Sequence, residues 1–92
     1  MGREVIITIG TTATKILDQS ITRKEFTLKN QGSVTVYLGI SKNVATSGTR
    51  KGRELSPSMV ESANKGEDPE LIKEELYGIV ETGTCDVWVW EA

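Results

Sequence analysis

The last eight residues of the chain, CDVWVWEA, predict a β-strand that is apolar on both faces. Side chains along a strand point alternately to its two sides, so Val87 and Val89 share one face. Trp88 and Trp90 share the opposite face. One face can fill the core of a small domain. The other needs a second apolar surface, supplied either by a facing sheet or by another protein molecule.

The β-branched residues Thr, Val and Ile make up 27 of the 92 residues, which favours pleated sheets over helices. A chain of this length has room for one core, so we expect a single domain over residues 1–92. Strands are predicted at residues 5–9, 15–17, 25–29, 34–40, 58–62, 76–80 and 85–92, with a further short segment ending at residues 55–57. About seven or eight short strands separated by turns predict an antiparallel β-sandwich or a small barrel.

One short helix is predicted near residues 69–75. Asp68 is a suitable N-cap and Pro69 suits the first helical position. A helix starting there has two turns at most, so it does not change the all-β class.

Two of the predicted strands flank a short polar turn. Phe26 and Leu28 alternate with polar residues in the first strand, and residues 34–40 alternate in the same way. The turn sequence NQGS lies between them, which predicts that the two strands pair as a β-hairpin. Residues 42–53 have no period and contain two glycines, so we expect an exposed, mobile loop there.

The charges are unevenly distributed along the chain. Residues 1–53 carry nine Lys or Arg and three Asp or Glu, whereas residues 54–92 carry two and ten. The net charge of −2 does not predict binding to nucleic acid, which calls for a clearly basic surface. The two signs can be interleaved on neighbouring strands or presented at opposite ends, and the sequence allows both.

The chain offers no obvious route to a membrane or to disulfide chemistry. It has one cysteine, which fits a reducing compartment. No apolar run approaches the roughly 20 residues that span a bilayer, and the first residues lack the apolar centre of a signal peptide. We therefore expect synthesis in the cytoplasm and no membrane partner.

The residue types needed for catalysis are scarce. There is no histidine, which removes the commonest general base and metal ligand. Cys85 has no base to activate it, so we expect a buried, inert thiol. A solvated surface is the expected role of the acidic residues Glu67, Asp68, Glu70, Glu74 and Glu75. Lys65 stands where a calcium loop needs an oxygen ligand. We expect no enzyme activity, no cofactor and no metal.

The aromatic residues allow three interpretations. Trp88 and Trp90 either fill the core of the sandwich or anchor an interface with another molecule. Together with Tyr37 and Tyr77 they could instead form a platform on which sugars stack, which would require carboxylates and amides nearby.

The basic residues Arg50, Lys51 and Arg53 allow two interpretations. They either belong to a solvated loop or reach an acidic partner surface. No aromatic residue is interleaved with these charges, which favours the solvated loop.

Several segments resemble those of small virion proteins of tailed bacteriophages. They are LKNQGSVTVYLG at residues 28–39, a loop containing Gly48, LSP at residues 55–57, LYGI at residues 76–79, and the final Val-x-Val-x-Glu. The likeness covers roughly residues 26–91. Where the family pattern has a tight Leu-x-Pro-Gly turn, this chain has Ser58 in place of the glycine, and its acidic insert at residues 64–75 is longer.

The resemblance implies a β-sandwich, often jelly-roll-like, that serves as a capsid decoration (cement) protein or as the capsid-binding base of a head fibre. From this likeness and the doubly apolar last strand, we expect a protein that binds the outer surface of a capsid as a homotrimer. Such a decoration or cement protein has the major capsid protein as its partner, and it is located on the virion surface after synthesis in the host cytoplasm. Because the last strand is apolar on both faces, the residues that we expect in self-association or capsid contact are Trp88, Trp90, Tyr37, Tyr77, Arg50, Lys51 and Arg53. The alternative is a carbohydrate- or receptor-binding module of a phage head or tail fibre.

Overall fold

The computed structural model describes residues 3–20, 23–64 and 74–92. Within them lie eight strands, β1 (Arg3–Ile9), β2 (Thr14–Leu17), β3 (Glu25–Asn30), β4 (Val36–Gly39), β5 (Arg53–Leu55), β6 (Val60–Asn64), β7 (Leu76–Val80) and β8 (Cys85–Glu91). Each predicted strand is present, with ends shifted by two residues at most. The helix predicted near residues 69–75 lies outside the described residues, apart from Glu74 and Glu75, which are not helical.

The strands form two antiparallel four-stranded sheets. The order is β1-β8-β3-β6 in sheet A and β2-β7-β4-β5 in sheet B. The pairs β1·β8, β2·β7, β3·β6 and β4·β5 form one long folded ribbon, and the pairs β3·β8 and β4·β7 complete the sheets. This is the eight-stranded double-sheet pattern of a jelly roll. The predicted all-β sandwich is confirmed.

The core lies between the sheets and takes alternate residues from most strands. In β2 the consecutive residues Ile16 and Leu17 are both buried, where the register of the strand shifts. Its buried members are Ile9, Ile16, Leu17, Phe26, Leu28, Val36, Leu38, Leu55, Ala63, Leu76, Val80, Cys85, Val87 and Val89. Val87 and Val89 are 0% exposed. Because these valines take the inward positions of β8, Trp88 and Trp90 point outward. The interpretation that the indoles fill the sandwich is therefore wrong.

The predicted hairpin between β3 and β4 is also wrong. β3 lies in sheet A between β8 and β6, whereas β4 lies in sheet B between β7 and β5. Residues 31–35 are an arch that carries the chain from one sheet to the other. Period-two alternation shows that a strand has one apolar face, but it does not identify the hydrogen-bonded neighbour. Here the two apolar faces meet across the core.

The arch is held by the buried side chain of Asn30, which is 1% exposed. Its Nδ2 donates hydrogen bonds to the carbonyl oxygens of Val34 and Leu55, both at 2.8 Å. Its Oδ1 accepts from the Gly32 N–H at 2.9 Å and from Cys85 Sγ at 2.9 Å. A Cβ at Gly32 would lie 2.5 Å from that sulfur, so the arch passes where only glycine fits.

A buried cation joins strands at the opposite end of β8. The side chain of Arg23 is 2% exposed, and its Nε lies 3.1 Å from Glu91 Oε1. Its guanidinium also donates to the carbonyl oxygens of Glu74, at 3.2 Å, and Asp18. The other oxygen of Glu91 lies 2.7 Å from the Arg3 guanidinium. The buried charge is therefore compensated, which a buried ion requires.

The ion pairs show how the uneven charges are arranged. Cations from residues 1–53 pair with anions from residues 54–92 at Arg3–Glu91, Lys15–Glu75, Arg23–Glu91, Lys51–Glu54 and Arg53–Glu61. The two signs are interleaved on neighbouring elements in the part of the chain that the structure describes.

The turn between β5 and β6 contains a non-glycine residue in the left-handed region. Ser58 has a φ of 69°, and the Met59 N–H donates to the Ser56 carbonyl oxygen at 2.9 Å. Pro57 is at the second position of this turn and Ser58 at the third, which is where a type II turn favours glycine. The chain therefore carries backbone strain at Ser58.

We expect Asn30→Ala to destabilise the fold by about 3 kcal/mol or more, because it leaves two buried carbonyl oxygens and one N–H without partners. Gln31→Ala, at the exposed neighbouring position, is the matched control and should change the free energy of unfolding by less than about 0.5 kcal/mol. Urea denaturation measures both. Equal stabilities of the two variants would contradict the role of Asn30.

We expect Ser58→Gly to stabilise the fold by about 0.5–1 kcal/mol, because glycine adopts a positive φ without a steric penalty. Ser56→Gly, two residues earlier in the same turn, removes no such strain and should be neutral or destabilising. Thermal unfolding followed by circular dichroism distinguishes the two variants. A lower midpoint for Ser58→Gly than for the native chain would contradict this prediction.

Candidate functional site

An apolar surface lies on the outer side of sheet A. It consists of Ile6 on β1, Trp88 and Trp90 on β8, and Val60 on β6, and is called here the Trp face. Ile6 is 56% exposed and Val60 52% exposed, and both indoles are partly buried. These side chains point outward because their neighbours along each strand point into the core or toward its margin.

The strand register aligns three of these residues in one row. Ile6 is the cross-strand partner of Trp88, Trp88 is the partner of Lys29, and Lys29 is the partner of Val60. The row crosses all four strands of sheet A. The aliphatic part of a lysine side chain can cover apolar surface while its ammonium stays in water, so Lys29 does not divide the row.

Polar residues border the Trp face on both sides of the row. Thr8 Oγ1 donates a hydrogen bond to Asp86 Oδ1 at 2.7 Å. On the other side, Glu4 and Thr27 are the cross-strand partners of Trp90. An apolar centre with a polar rim is the usual arrangement of a protein-binding surface.

The outer side of sheet B carries the tyrosines. Tyr37 and Tyr77 are partly buried, and each ring has a lysine near it. Lys15 Nζ is 5.8 Å from the centre of the Tyr77 ring, and Lys51 Nζ is 5.8 Å from the centre of the Tyr37 ring. Both distances suit cation–π interactions.

Acidic residues hold these lysines in place. Lys15 Nζ lies 3.5 Å from both Asp18 Oδ1 and Glu75 Oε2, and Lys51 Nζ lies 3.1 Å from Glu54 Oε2. The tyrosine side of the sandwich is thus covered by ion-paired lysines. On the Trp face Lys29 lies in the row, but Ile6 and Val60 stay more than half exposed.

The structure does not bring the predicted aromatic residues together. Trp88 and Trp90 lie on one outer side of the sandwich, and Tyr37 and Tyr77 lie on the opposite side. The interpretation that all four rings form a single platform for sugars is therefore wrong. A partner that covers the indoles on a flat surface does not reach the tyrosines of the same molecule.

The basic residues lie beside the β5 edge of sheet B. Arg50 is exposed in a short 3₁₀ helix (Gly48–Arg50). Lys51 is paired with Glu54, and the Arg53 guanidinium lies 3.3 Å from Glu61 on β6. The last pair joins the edge strands of the two sheets. This segment is mostly exposed, as predicted, but it contains the 3₁₀ helix and runs into β5.

Two shallow clefts lie near these basic residues. One, of 170 Å³, opens between the sheet edges and is lined by Phe26, Leu38, Gly39, Ile40, Arg53, Glu61 and Leu76. The other, of 260 Å³, lies under the segment from Ile40 to Arg53. The second lining includes Ser41, and neither lining includes a cysteine.

The described residues contain no group of three or more His, Cys, Asp or Glu side chains that could hold a metal ion. Cys85 is 3% exposed, inside the core. The described part of the chain also has no helix that is long and apolar enough to cross a membrane.

Ile6 and Val60 were not predicted as site residues. A signal for Ile6 exists, because Val5, Ile6 and Ile7 are consecutive apolar residues, so β1 is apolar on both faces in the same way as β8. Val60 directly follows Met59, so two apolar residues are consecutive near the start of the strand. The sequence therefore does not show which of them faces the core. Only the register of sheet A shows that Val60 belongs to the row.

Neighbouring groups raise the pKa of both lysines that cover the tyrosines. Coulombic interaction with Tyr77, the hydrogen bond to Asp18 and the attraction of Glu75 raise the pKa of Lys15 above its usual 10.5. The hydrogen bond and the attraction of Glu54 raise the pKa of Lys51 above the same value. Each lysine interaction is fully present below the usual pKa and is lost as the pH rises through the raised one.

We expect Glu54→Gln to lower the pKa of Lys51 toward its usual value, because the carboxylate that raises it is gone. The pKa of Lys15, on the same side of the sandwich but with other partners, is the internal control and should not change. An NMR titration of the lysine side chains from about pH 9 to about pH 12 measures both pKa values, because this range spans the usual lysine pKa of 10.5. An unchanged pKa of Lys51 would contradict the ion pair.

Comparison of the chain with protein-family models, with curated proteins and with solved structures finds no match.

Proposed function

We propose that this chain is a structural binding protein that docks its Trp face on the outer surface of a phage capsid and stabilises it. The observation that carries the proposal is the contrast between the two outer sides of the sandwich. The tyrosine rings of sheet B are covered by ion-paired lysines, whereas Ile6 and Val60 remain more than half exposed beside two indoles.

The Trp face has enough apolar surface to drive association. Fully burying a Val or Ile side chain contributes about 1.5–3 kcal/mol, and tryptophan is enriched among the residues that dominate binding energy. A contiguous exposed apolar row on a small protein is typical of an interaction site. The polar rim formed by Thr8, Asp86 and Glu4 supplies hydrogen-bonding groups around it.

The fold is compatible with a virion role, and the sequence likeness favours it. Jelly rolls are common in viral capsid proteins and also in lectins, so the fold alone favours neither. The likeness of residues 26–91 to phage virion proteins favours the capsid, and the predicted homotrimer stays a prediction.

Capsid stabilisation would follow from linkage. A protein that binds only the assembled lattice stabilises it by an amount that increases with the logarithm of its concentration over Kd. Several linked copies raise the effective affinity further. No bond needs to be made or broken.

The second candidate function is recognition of a carbohydrate or receptor by a head or tail fibre. It is favoured by one observation, which is that two partly exposed indoles have the carboxylates of Asp86 and Glu4 nearby in the register. Aromatic stacking with carboxylate hydrogen bonds is a common way to hold a sugar.

We expect Trp88→Ala to weaken binding to capsids by about 30-fold or more, as for a central interface tryptophan. Tyr77→Ala truncates an aromatic residue of similar burial on the opposite side and should change Kd by about twofold at most. The measurement is co-sedimentation with capsids assembled from the major capsid protein of the same genome. Melting curves confirm that both variants are folded.

The same samples separate the two candidate functions. Docking on capsids should shift the tryptophan emission to shorter wavelengths and protect it from acrylamide. If the native chain does not sediment with capsids, the capsid proposal is wrong. A change in emission with members of a glycan panel, and none with capsids, would establish the second candidate instead.

A further inference from the structure

The geometry points to a second copy of this chain as the partner of the free edge of β1. β1 is the outermost strand of sheet A, and its pairing with β8 is continuous from Arg3↔Glu91 to Ile9↔Cys85. No described residue pairs with the other side of β1. Alternate N–H and C=O groups along that side therefore point away from the sheet, available to another strand.

β1 lacks the features that usually protect an edge strand. It has seven residues and no bulge in its register, it contains no proline, and residues 5–9 carry no charge. The edge strands of sheet B are different. β2 has four residues with a register shift, and β5 has three residues, of which Arg53 and Glu54 are charged. An exposed, regular, apolar edge is a template for strand pairing.

The residues of β1 match those of a second, antiparallel β1. When two copies are aligned on Ile6, Ile6 faces Ile6, Val5 faces Ile7 and Glu4 faces Thr8. Arg3 then faces Ile9, so no two like charges are opposite each other. In this alignment even-numbered residues face even-numbered residues, and odd face odd. The backbone N–H and C=O groups that point away from β8 on one strand therefore meet the same groups of the other strand, whether the even or the odd residues carry them.

This pairing also extends the Trp face. Ile6 stands at the end of the apolar row, 56% exposed, with Trp88 beside it in the register. Neighbouring strands lie about 4.8 Å apart, so the two Ile6 side chains of a pair meet on the same outer side. The result is one eight-stranded sheet with a continuous row running from Trp88 through both Ile6 residues to the second Trp88.

The inferred assembly is a two-fold symmetric dimer, whereas the sequence analysis predicts a trimer. A symmetric contact between identical edges uses each β1 once and therefore closes at two copies. The pairing does not depend on what the Trp face binds, so it can be tested without capsids.

The native chain should sediment as a dimer of twice its 10.1 kDa mass at micromolar to hundred-micromolar concentration. Ile6→Lys places two like charges at the two-fold axis and should raise the dimer Kd about tenfold or more. Val60→Lys is the matched control. Val60 is on the same outer side and 52% exposed, but it is on β6, at the other edge of the sheet, so this variant should remain dimeric.

A charge-reversal mixture locates the axis. At a protein concentration between the native and the variant Kd, Ile6→Lys and Ile6→Glu should each be mostly monomeric, and mixing them in equal amounts should restore a dimer because opposite charges then face each other. Circular dichroism verifies that each variant is folded. A native chain that is monomeric or trimeric over this concentration range would overturn the inference. A dimer that Val60→Lys disrupts as strongly as Ile6→Lys, or a mixture that stays monomeric, would do the same.

Discussion

The side-chain amide of Asn30 is the interaction on which the rest of the sandwich depends. It binds the arch between β3 and β4 through Val34, the end of β5 through Leu55 and the start of β8 through Cys85. The backbone of the same residue binds the turn between β5 and β6. Its N–H donates a hydrogen bond to the Met59 carbonyl oxygen, and its own carbonyl oxygen accepts one from the Ser58 N–H. Two places where the chain changes sheets thus meet at one residue. Because the side-chain bonds to Leu55 and Cys85 are buried, each of them loses more when broken than an exposed bond would.

The sequence predicts where the strands are better than it predicts how they are connected. Alternation located each strand to within two residues, since a half-buried strand must alternate. It could not show that β3 and β4 belong to different sheets, because a hairpin and an arch have the same alternation. Asn30 was assigned to an exposed turn for the same reason, since Asn before Gln and Gly is typical of turns. Its burial depends on Leu55 and Cys85, which are distant in the chain.

The candidate site was predicted in part. The doubly apolar character of residues 85–92 predicts that the two tryptophans are site residues. The alternation of the strand alone does not decide whether the valines or the tryptophans point into the core. That decision depends on the width of the core, where β-branched and small residues of β8 fit against the facing sheet. The tyrosines were grouped with the tryptophans because residue type was the only available criterion. The register of sheet B then shows them on the other side, beneath Lys15 and Lys51. Each lysine pairs with an acidic residue three positions along the chain, and Lys15 also pairs with the distant Glu75.

The exposed row and the free edge have one physical origin, which is the small size of the domain. An eight-stranded sandwich of this length has few residues left to cover its edges or outer sides. Here Lys15 and Lys51 lie over the tyrosines of sheet B, whereas Lys29 lies within the apolar row of sheet A. If β1 pairs with a second copy, the apolar row doubles in length without any new residue. Two linked Trp faces would then bind a lattice more tightly than one, because the second contact forms at high effective concentration. The gain requires that the lattice present matching apolar sites related by a two-fold axis, so the symmetry of the dimer would select where on a capsid it can bind.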